Sequence, residues 1–233
     1  MKQLSIADCG WGICYLSKSD SFTPQSTTEN IQSTIEMVRV IAGTFKSRLL
    51  KTVSGNATRP TSDRLKETLF DLFQAKIEGS QFLDCFAGGG SIGIEAISRG
   101  ARFVAFIELS PHASKIIREN IASLGLSSSS RYSVLNKTVE AGLKILQRTG
   151  VKFDIVFLDP PYEAASEYPR VLEALQQYQI VEDEASIIAE HSKHLKLANQ
   201  IGDLVRVRQV NQGDSILSIY RSGLLQQSDP QVT

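Results

Sequence analysis

Two short stretches of the chain hold residue types suited to chemistry. The first is Asp84-Cys85-Phe86-Ala87-Gly88-Gly89-Gly90-Ser91-Ile92-Gly93. Glycines let a backbone pass close to a ligand, and a helix start offers unpaired N–H groups. Gly88, Gly90 and Gly93 satisfy G-x-G-x-x-G, a pattern shared by dinucleotide sites and S-adenosylmethionine (AdoMet) sites. A tight strand-to-helix turn alone would also account for it. Asp84 shifts the balance. A carboxylate ahead of the glycines repels a pyrophosphate and suits a cationic amino group, such as that on the methionine part of AdoMet. Glu108 ends the next apolar run, where an acid can accept from both ribose hydroxyls; this suits NAD and AdoMet equally.

The second stretch is Asp159-Pro160-Pro161-Tyr162, directly after the apolar run Asp154–Leu158. Paired prolines stiffen a loop and leave their carbonyls as acceptors, while a tyrosine offers a flat face to a base. A rigid structural turn would explain Pro-Pro on its own. Beside the glycine loop, the four residues Asp159, Pro160, Pro161 and Tyr162 are the expected catalytic set.

These stretches need a scaffold that brings them together. Strands are predicted over Phe82–Cys85, Phe103–Ile107, Tyr132–Leu135, Asp154–Leu158 and Ser186–Glu190, and helices over Ser91–Arg99, Pro111–Leu124, Val139–Arg148 and Ala165–Gln177. Such alternation with apolar strands implies an α/β fold, an open, mostly parallel, doubly wound sheet. In that architecture the loops at the carboxyl ends of strands face one crevice, so Asp84, Glu108 and Asp159 should share a rim. Leu204–Val210 and Ser215–Tyr220 flank the turn Asn211-Gln212-Gly213-Asp214 and must pair antiparallel. Upstream, Val38–Ala42 and Arg48–Val53 form a hairpin candidate, and Leu65, Leu69, Leu72 and Phe73 mark a helix running to about Lys76.

Composition narrows the class. The 233 residues carry 25 Lys+Arg and 25 Asp+Glu, and 42 % are hydrophobic, which excludes wholesale disorder. No run approaches a membrane span, so no membrane partner is expected. Three cysteines without a Cys-x-x-Cys exclude a disulfide scaffold and a cysteine zinc site and fit a cytoplasmic location. His191 and His194 beside Glu190 have no further ligand cluster, so no metal is expected. Cys85 reads as core. The charge is unevenly spread: residues 37–76 hold eight basic and three acidic side chains, whereas 1–36 hold two and four. A basic segment on a slightly acidic body points to an anionic partner.

The organisation expected from this is a tail over 1–36, a basic hairpin arm over 37–60, the main domain over 61–222 and a frayed end over 223–233. Half of the 18 positions from Ser17 to Thr34 are Ser or Thr, and Met37 opens a new pattern. Met37 is therefore the expected functional start, with 1–36 a tail or an over-long start. Four acids and no arginine argue against a transit peptide there.

The two loops together resemble those of class I AdoMet-dependent methyltransferases acting on exocyclic or amide nitrogens. Met37-Val-Arg-Val-Ile-Ala-Gly-Thr-Phe-Lys-Ser-Arg48 and Thr58-Arg-Pro-Thr-Ser-Asp-Arg-Leu-Lys-Glu-Thr-Leu-Phe70 resemble the RsmD family, which methylates guanine N2 in 16S ribosomal RNA. The resemblance runs from Met37 to about Tyr220. It implies a Rossmann-like seven-stranded sheet preceded by a β-hairpin arm, AdoMet as cofactor, and 16S rRNA or a small-subunit assembly particle as partner of a monomer. Asp84, Phe86, Ala87, Gly88 and Gly90 would then line the methionine and ribose side. Glu108 and Leu109 would hold the ribose, and either Asn136 or Thr138 would lie near the adenine. Thr61 and Arg64 match the arm motif and would lie near substrate or cofactor. Arg39, Lys46, Arg48, Lys51, Arg59 and Arg64 would grip RNA phosphates.

Residue chemistry favours guanine. Its Watson–Crick edge presents N1–H and N2–H side by side, and a carboxylate at position 159 is acceptor-only. The alternatives are an enzyme of the same fold acting on DNA adenine N6 or a protein glutamine amide, a dinucleotide oxidoreductase, and a non-catalytic RNA-binding module. The Asp159–Tyr162 loop has no use in an oxidoreductase, and the Arg59–Phe70 resemblance speaks against DNA and protein substrates.

Overall fold

The computed structural model describes residues 37–53, 63–127, 129–161 and 164–222. Arg59, Thr61 and Tyr162, expected at the site, lie outside the described residues, as do Cys9 and Cys14. The chain begins with a two-stranded antiparallel sheet of β1 (Met37–Arg39) and β2 (Leu49–Lys51). Next come α1 (Asp63–Leu72) and α2 (Gln74–Ile77). Then follow β3 (Gln81–Asp84), α3 (Ser91–Ser98), β4 (Phe103–Ile107), α4 (Pro111–Ser123), β5 (Tyr132–Leu135), α5 (Val139–Gln147), β6 (Phe153–Leu158) and α6 (Glu167–Gln177). The chain closes with β7 (Val181–Ser192), β8 (Gln200–Ile201), β9 (Leu204–Gln212) and β10 (Ser215–Ser222).

The main sheet has the order β5-β4-β3-β6-β7-β10-β9-β8. The first five of these are parallel; β10, β9 and β8 pair antiparallel. Seven strands follow the expected plan, and the two-residue β8 adds an eighth at the edge. The chain winds from β3 out to β5, then restarts at β6 on the other side of β3. The switch point therefore falls between the glycine loop after β3 and the proline loop after β6, where α/β sheets open a ligand crevice.

Alternation along the strands builds two core layers. Phe82, Val104, Phe106, Ile155, Phe157 and Ile188 face α1, α3 and α4. Leu83, Ala105, Ile107, Val156, Leu158, Ile187 and Ala189 face α5 and α6. Two helix starts are capped as their sequences dictate. Ser110 Oγ accepts from Ala113 N ahead of Pro111, and Thr138 Oγ1 accepts from Ala141 N.

The hairpin is docked on the body. Its turn would leave N–H groups unpaired, and α3 supplies the acceptors. The fully buried Glu95 carboxylate takes Ile41 N–H at 2.7 Å and Ala42 N–H at 3.0 Å, and pairs with Arg99 at 2.7 Å. Gly43 adopts φ +81° and lies so close to Ser98 O that a Cβ would overlap it at 1.9 Å. The buried Lys66 ammonium of α1 donates to Arg39 O at 2.6 Å. Asn120 of α4 closes the assembly: its Oδ1 accepts from Lys51 N, and its Nδ2 donates to Lys51 O and Gly89 O. That residue ties the hairpin to the glycine loop, so the hairpin becomes a wall of the site.

Candidate active site

One cavity of about 760 Å³ opens at the switch point. The glycine loop (Phe86 to Gly89), Glu108, Leu109 and Thr138 line it from the loops after β3, β4 and β5, and Asp159, Pro160 and Pro161 line it from the loop after β6, on the other side of β3. The hairpin contributes Val38, Thr52 and Val53, α1 contributes Arg64 and Leu65, and the far side is closed by Glu190 and the β9–β10 turn. The volume lies toward the upper end for small-ligand pockets, which suits a cofactor together with a base.

The glycine loop is shaped by contacts on its outer side. Gly90, at φ +81°, packs on Ile117, and a Cβ at Gly89 would come within 3.0 Å of Lys51 O. Gly88, at φ +52°, has open space where a Cβ would stand. Gly93 is pressed against Phe106, where a Cβ would sit 2.2 Å from the ring. Glu108 holds the loop in place. Its Oε2 accepts from Gly88 N and its Oε1 from Ser110 N, both at 2.7 Å. Glu108 is thus both a cavity wall and a clamp between two ligand loops, and each of its oxygens keeps a lone-pair site for a further donor. Leu109 is 66 % exposed on the rim beside it.

Several sequence expectations change here. Asp84 does not line the cavity; it is buried, and its Oδ2 accepts from Gly93 N at 3.2 Å. Its carboxylate anchors the start of α3 where the sequence suggested direct contact with a ligand amino group. Asn136 likewise does not line the cavity; its Nδ2 donates to Glu108 O and Leu109 O and braces that rim. Thr138 and the neighbouring Lys137 do line it.

Of the basic residues expected to meet RNA, only Arg64 reaches the cavity wall among those described. Arg39 lies 3.9 Å from Asp63. Arg48 Nη2 donates to Ser123 O at 2.7 Å, and Lys51 pairs with Glu119 at 2.7 Å. These side chains and Lys46 remain at the surface. Cys85 is buried, and burial pushes its thiol well up, which fits a wall residue rather than a nucleophile.

Electrostatically the site is built from crowded carboxyls. Burial pushes Asp84 up to about 7, against the Gly93 N–H bond and with help from the Glu108 charge. Burial, then the Glu190 and Asp84 charges, drive Asp159 well above the usual carboxylate range. Asp84 therefore binds a proton in the native state that the unfolded chain sheds near pH 4. Its effect on stability is absent below that pH and becomes a growing penalty up to about pH 7, on the order of 4 kcal/mol in full. Asp84→Asn keeps an oxygen acceptor for Gly93 N–H and removes the penalty. The Tm of this variant should exceed wild type by more at pH 8 than at pH 5; an equal difference at both would contradict the assignment.

An open sheet wound both ways from a glycine loop, with an antiparallel strand beside the last parallel one, is the architecture of class I methyltransferases. The solved yhhF structure from Escherichia coli superposes with a TM-score of 0.66 and 29 % identity, covering 80 % of this chain and 98 % of that one. The family described as conserved hypothetical protein 95 matches residues 38–221, and the chain belongs to it. YlbH of Bacillus subtilis is 35 % identical over 184 residues, 79 % of this chain and 98 % of that protein. Ribosomal RNA small subunit methyltransferase D of Haemophilus influenzae is 42 % identical over 125 residues, 54 % of this chain and 64 % of that protein. The chain is thus a methyltransferase of the RsmD family, as its loops and its Met37–Phe70 segment suggested. Among the described residues no helix is long and apolar enough to cross a membrane.

The sequence reading missed Val38, Leu65, Lys137, Glu190 and the β9–β10 turn as walls of the site. Glu190 carried a usable signal: like Glu108 and Asp159, it is an acid directly after an apolar run, here Ile187-Ile188-Ala189 of a parallel strand.

Proposed function

We propose that the chain transfers a methyl group from AdoMet to the exocyclic N2 of a guanine in 16S rRNA of the small ribosomal subunit. The observation that carries this reading is the position of the Asp159-Pro160 loop in the same cavity as the Glu108-clamped glycine loop, across the switch point. The named relative acting on small-subunit RNA supports the substrate class.

Bound AdoMet carries an already activated methyl on a sulfonium, so the protein's task is to aim an amine. The lone pair of guanine N2 is delocalised into the ring. Acceptors on its N–H bonds favour a pyramidal nitrogen and stabilise the positive charge that develops there. The Asp159 carboxylate and the Pro160 carbonyl supply these acceptors, and Asp159 takes the released proton. Its upward-shifted basicity suits that role. Tyr162 stacks on the base, which leaves its helix to reach the cavity. Gly88 and the Glu108 carboxylate hold the cofactor ribose, with Thr138 on the adenine side. Arg64 meets RNA at the mouth, and the exposed cations of the hairpin meet the phosphates around it.

A ligand that binds only the native state raises its melting temperature. AdoMet at saturating concentration should raise the Tm of this protein by several degrees, whereas NAD should leave it unchanged. A shift with NAD and none with AdoMet would overturn the proposal in favour of a dinucleotide enzyme.

A further inference from the structure

The half of the cavity beyond Asp159 holds a second carboxylate. Glu190 stands near the end of β7, is only 8 % exposed, and lines the cavity with the β9–β10 turn behind it. Leu158 of β6 pairs with Ala189 of β7, so Asp159 and Glu190 follow on the same rung of adjacent parallel strands. On its other side Glu190 pairs with Leu217 of β10. Adjacent strands lie ~4.8 Å apart. That spacing sets the two carboxylates within reach of neighbouring donors on one flat ring. The order of the sheet separates the roles. The loops after β3, β4 and β5 supply the glycine, Glu108 and Thr138 side, whereas Glu190 lies on the opposite side of Asp159.

A guanine seated here brings three donors, one on N1 and two on N2, and each needs an acceptor once water is excluded. If Asp159 and Pro160 serve the amino group, N1–H requires another. We propose that Glu190 is the specificity-determining residue for guanine, accepting N1–H while Asp159 holds the amino group. This rests on the guanine-N2 reading of the site. A purine with a lone pair at N1, such as adenine, would face the Glu190 carboxylate acceptor to acceptor. Sites built around a hydrogen bond reject partners that lack it far more strongly than apolar pockets reject a missing methylene.

The test uses an analogue that lacks the N1 proton. Once the methylated position in the RNA is mapped, ligated RNA is prepared with guanine or with 2-aminopurine at that position. 2-Aminopurine keeps the amino group, replaces N1–H by a lone pair and also lacks O6, so the change in the analogue-to-guanine ratio on substitution of Glu190 reports the N1 contact. Wild-type protein should methylate guanine at least about 100-fold better in kcat/KM. Glu190→Gln, which can donate to the N1 lone pair, should lose about 50-fold on guanine and shift the analogue-to-guanine ratio by at least about tenfold. A purely structural role would lower both substrates together. Equal loss on the two, or wild-type indifference between them, would overturn the proposal. An unchanged AdoMet-induced Tm shift confirms that the variant is folded, and should it fail to fold, wild-type turnover of 1-methylguanine, which keeps O6 and the amino group but has no N1 proton, decides: loss of activity is expected, and full activity would overturn the proposal. Failure of the guanine reading is separately visible: wild type would then place its methyl on a nucleoside other than guanosine.

Discussion

Asp159→Asn slows methyl transfer about a thousandfold while changing AdoMet affinity only a few-fold. The expected size follows from two losses in one substitution. The amide turns one acceptor into a donor facing an N–H of the base, and it cannot take the proton that leaves N2. AdoMet affinity should hold, because the cofactor half is built by Glu108 and the glycine loop on other strands. The wild-type pH profile supplies a second signature. Burial and the charges of Glu190 and Asp84 raise the Asp159 carboxyl, and only its ionised form offers both oxygens as acceptors and can take the released proton. The rate should therefore climb as pH rises through that elevated value. In the Asn variant this limb should vanish, leaving a low, flat profile. Single-turnover rates across pH with saturating RNA would show both effects. A variant within tenfold of wild type would remove Asp159 from the reaction.

Glu108→Gln acts on the other half of the cavity. The two carboxylate oxygens take N–H groups from two loops, Gly88 on one and Ser110 on the other. A glutamine can keep one of these; its NH₂ group would then confront the second donor. One charge-assisted bond is lost and one N–H is left unsatisfied, on the order of 3 kcal/mol together. Loss of an acceptor for the ribose adds to this. AdoMet Kd should rise about 100-fold. At saturating AdoMet, kcat should fall far less than in the Asp159 variant, because the reacting amine is held elsewhere. Calorimetric titration with AdoMet checks the first claim. An unchanged Kd would mean that neither the clamp nor the carboxylate itself bears on cofactor binding.

Much of this arrangement is readable from residues alone, for identifiable reasons. β4 falls on its predicted residues because an apolar run buried on both faces has sharp polar edges, and the half-buried edge strand β5 does so as well. Asp159 and Glu108 were placed because the doubly wound plan sends every strand's carboxyl end to one rim. β7 is longer than its predicted Ser186–Glu190 core because exposed Glu182, Asp183 and Glu184 extend it while reading as loop. The helix expected to reach Lys76 breaks at Phe73, which is buried and whose carbonyl accepts the N–H groups of Lys76 and Ile77 in a new turn.

The contacts that periodicity does not show involve side chains outside each element, nine residues on for Asp84 and more than fifty for the hairpin. Asp84 is buried and accepts Gly93 N–H from the start of α3. The hairpin docks because Glu95 and Ser98, more than fifty residues downstream, satisfy its turn. No local pattern encodes either contact. Arg48 and Lys51 show the same limit: their charge was legible, but their bonds to Ser123 and Glu119 were not.

The central claim is that the Asp159 loop and the cofactor loops act on one guanine N2. Its most direct test is nucleoside analysis after incubation with methyl-labelled AdoMet and 16S rRNA or small-subunit particles lacking the modification. The account predicts label in N2-methylguanosine with wild-type protein and none with Asp159→Ala. Label in any other nucleoside, or equal label with the variant, would contradict it.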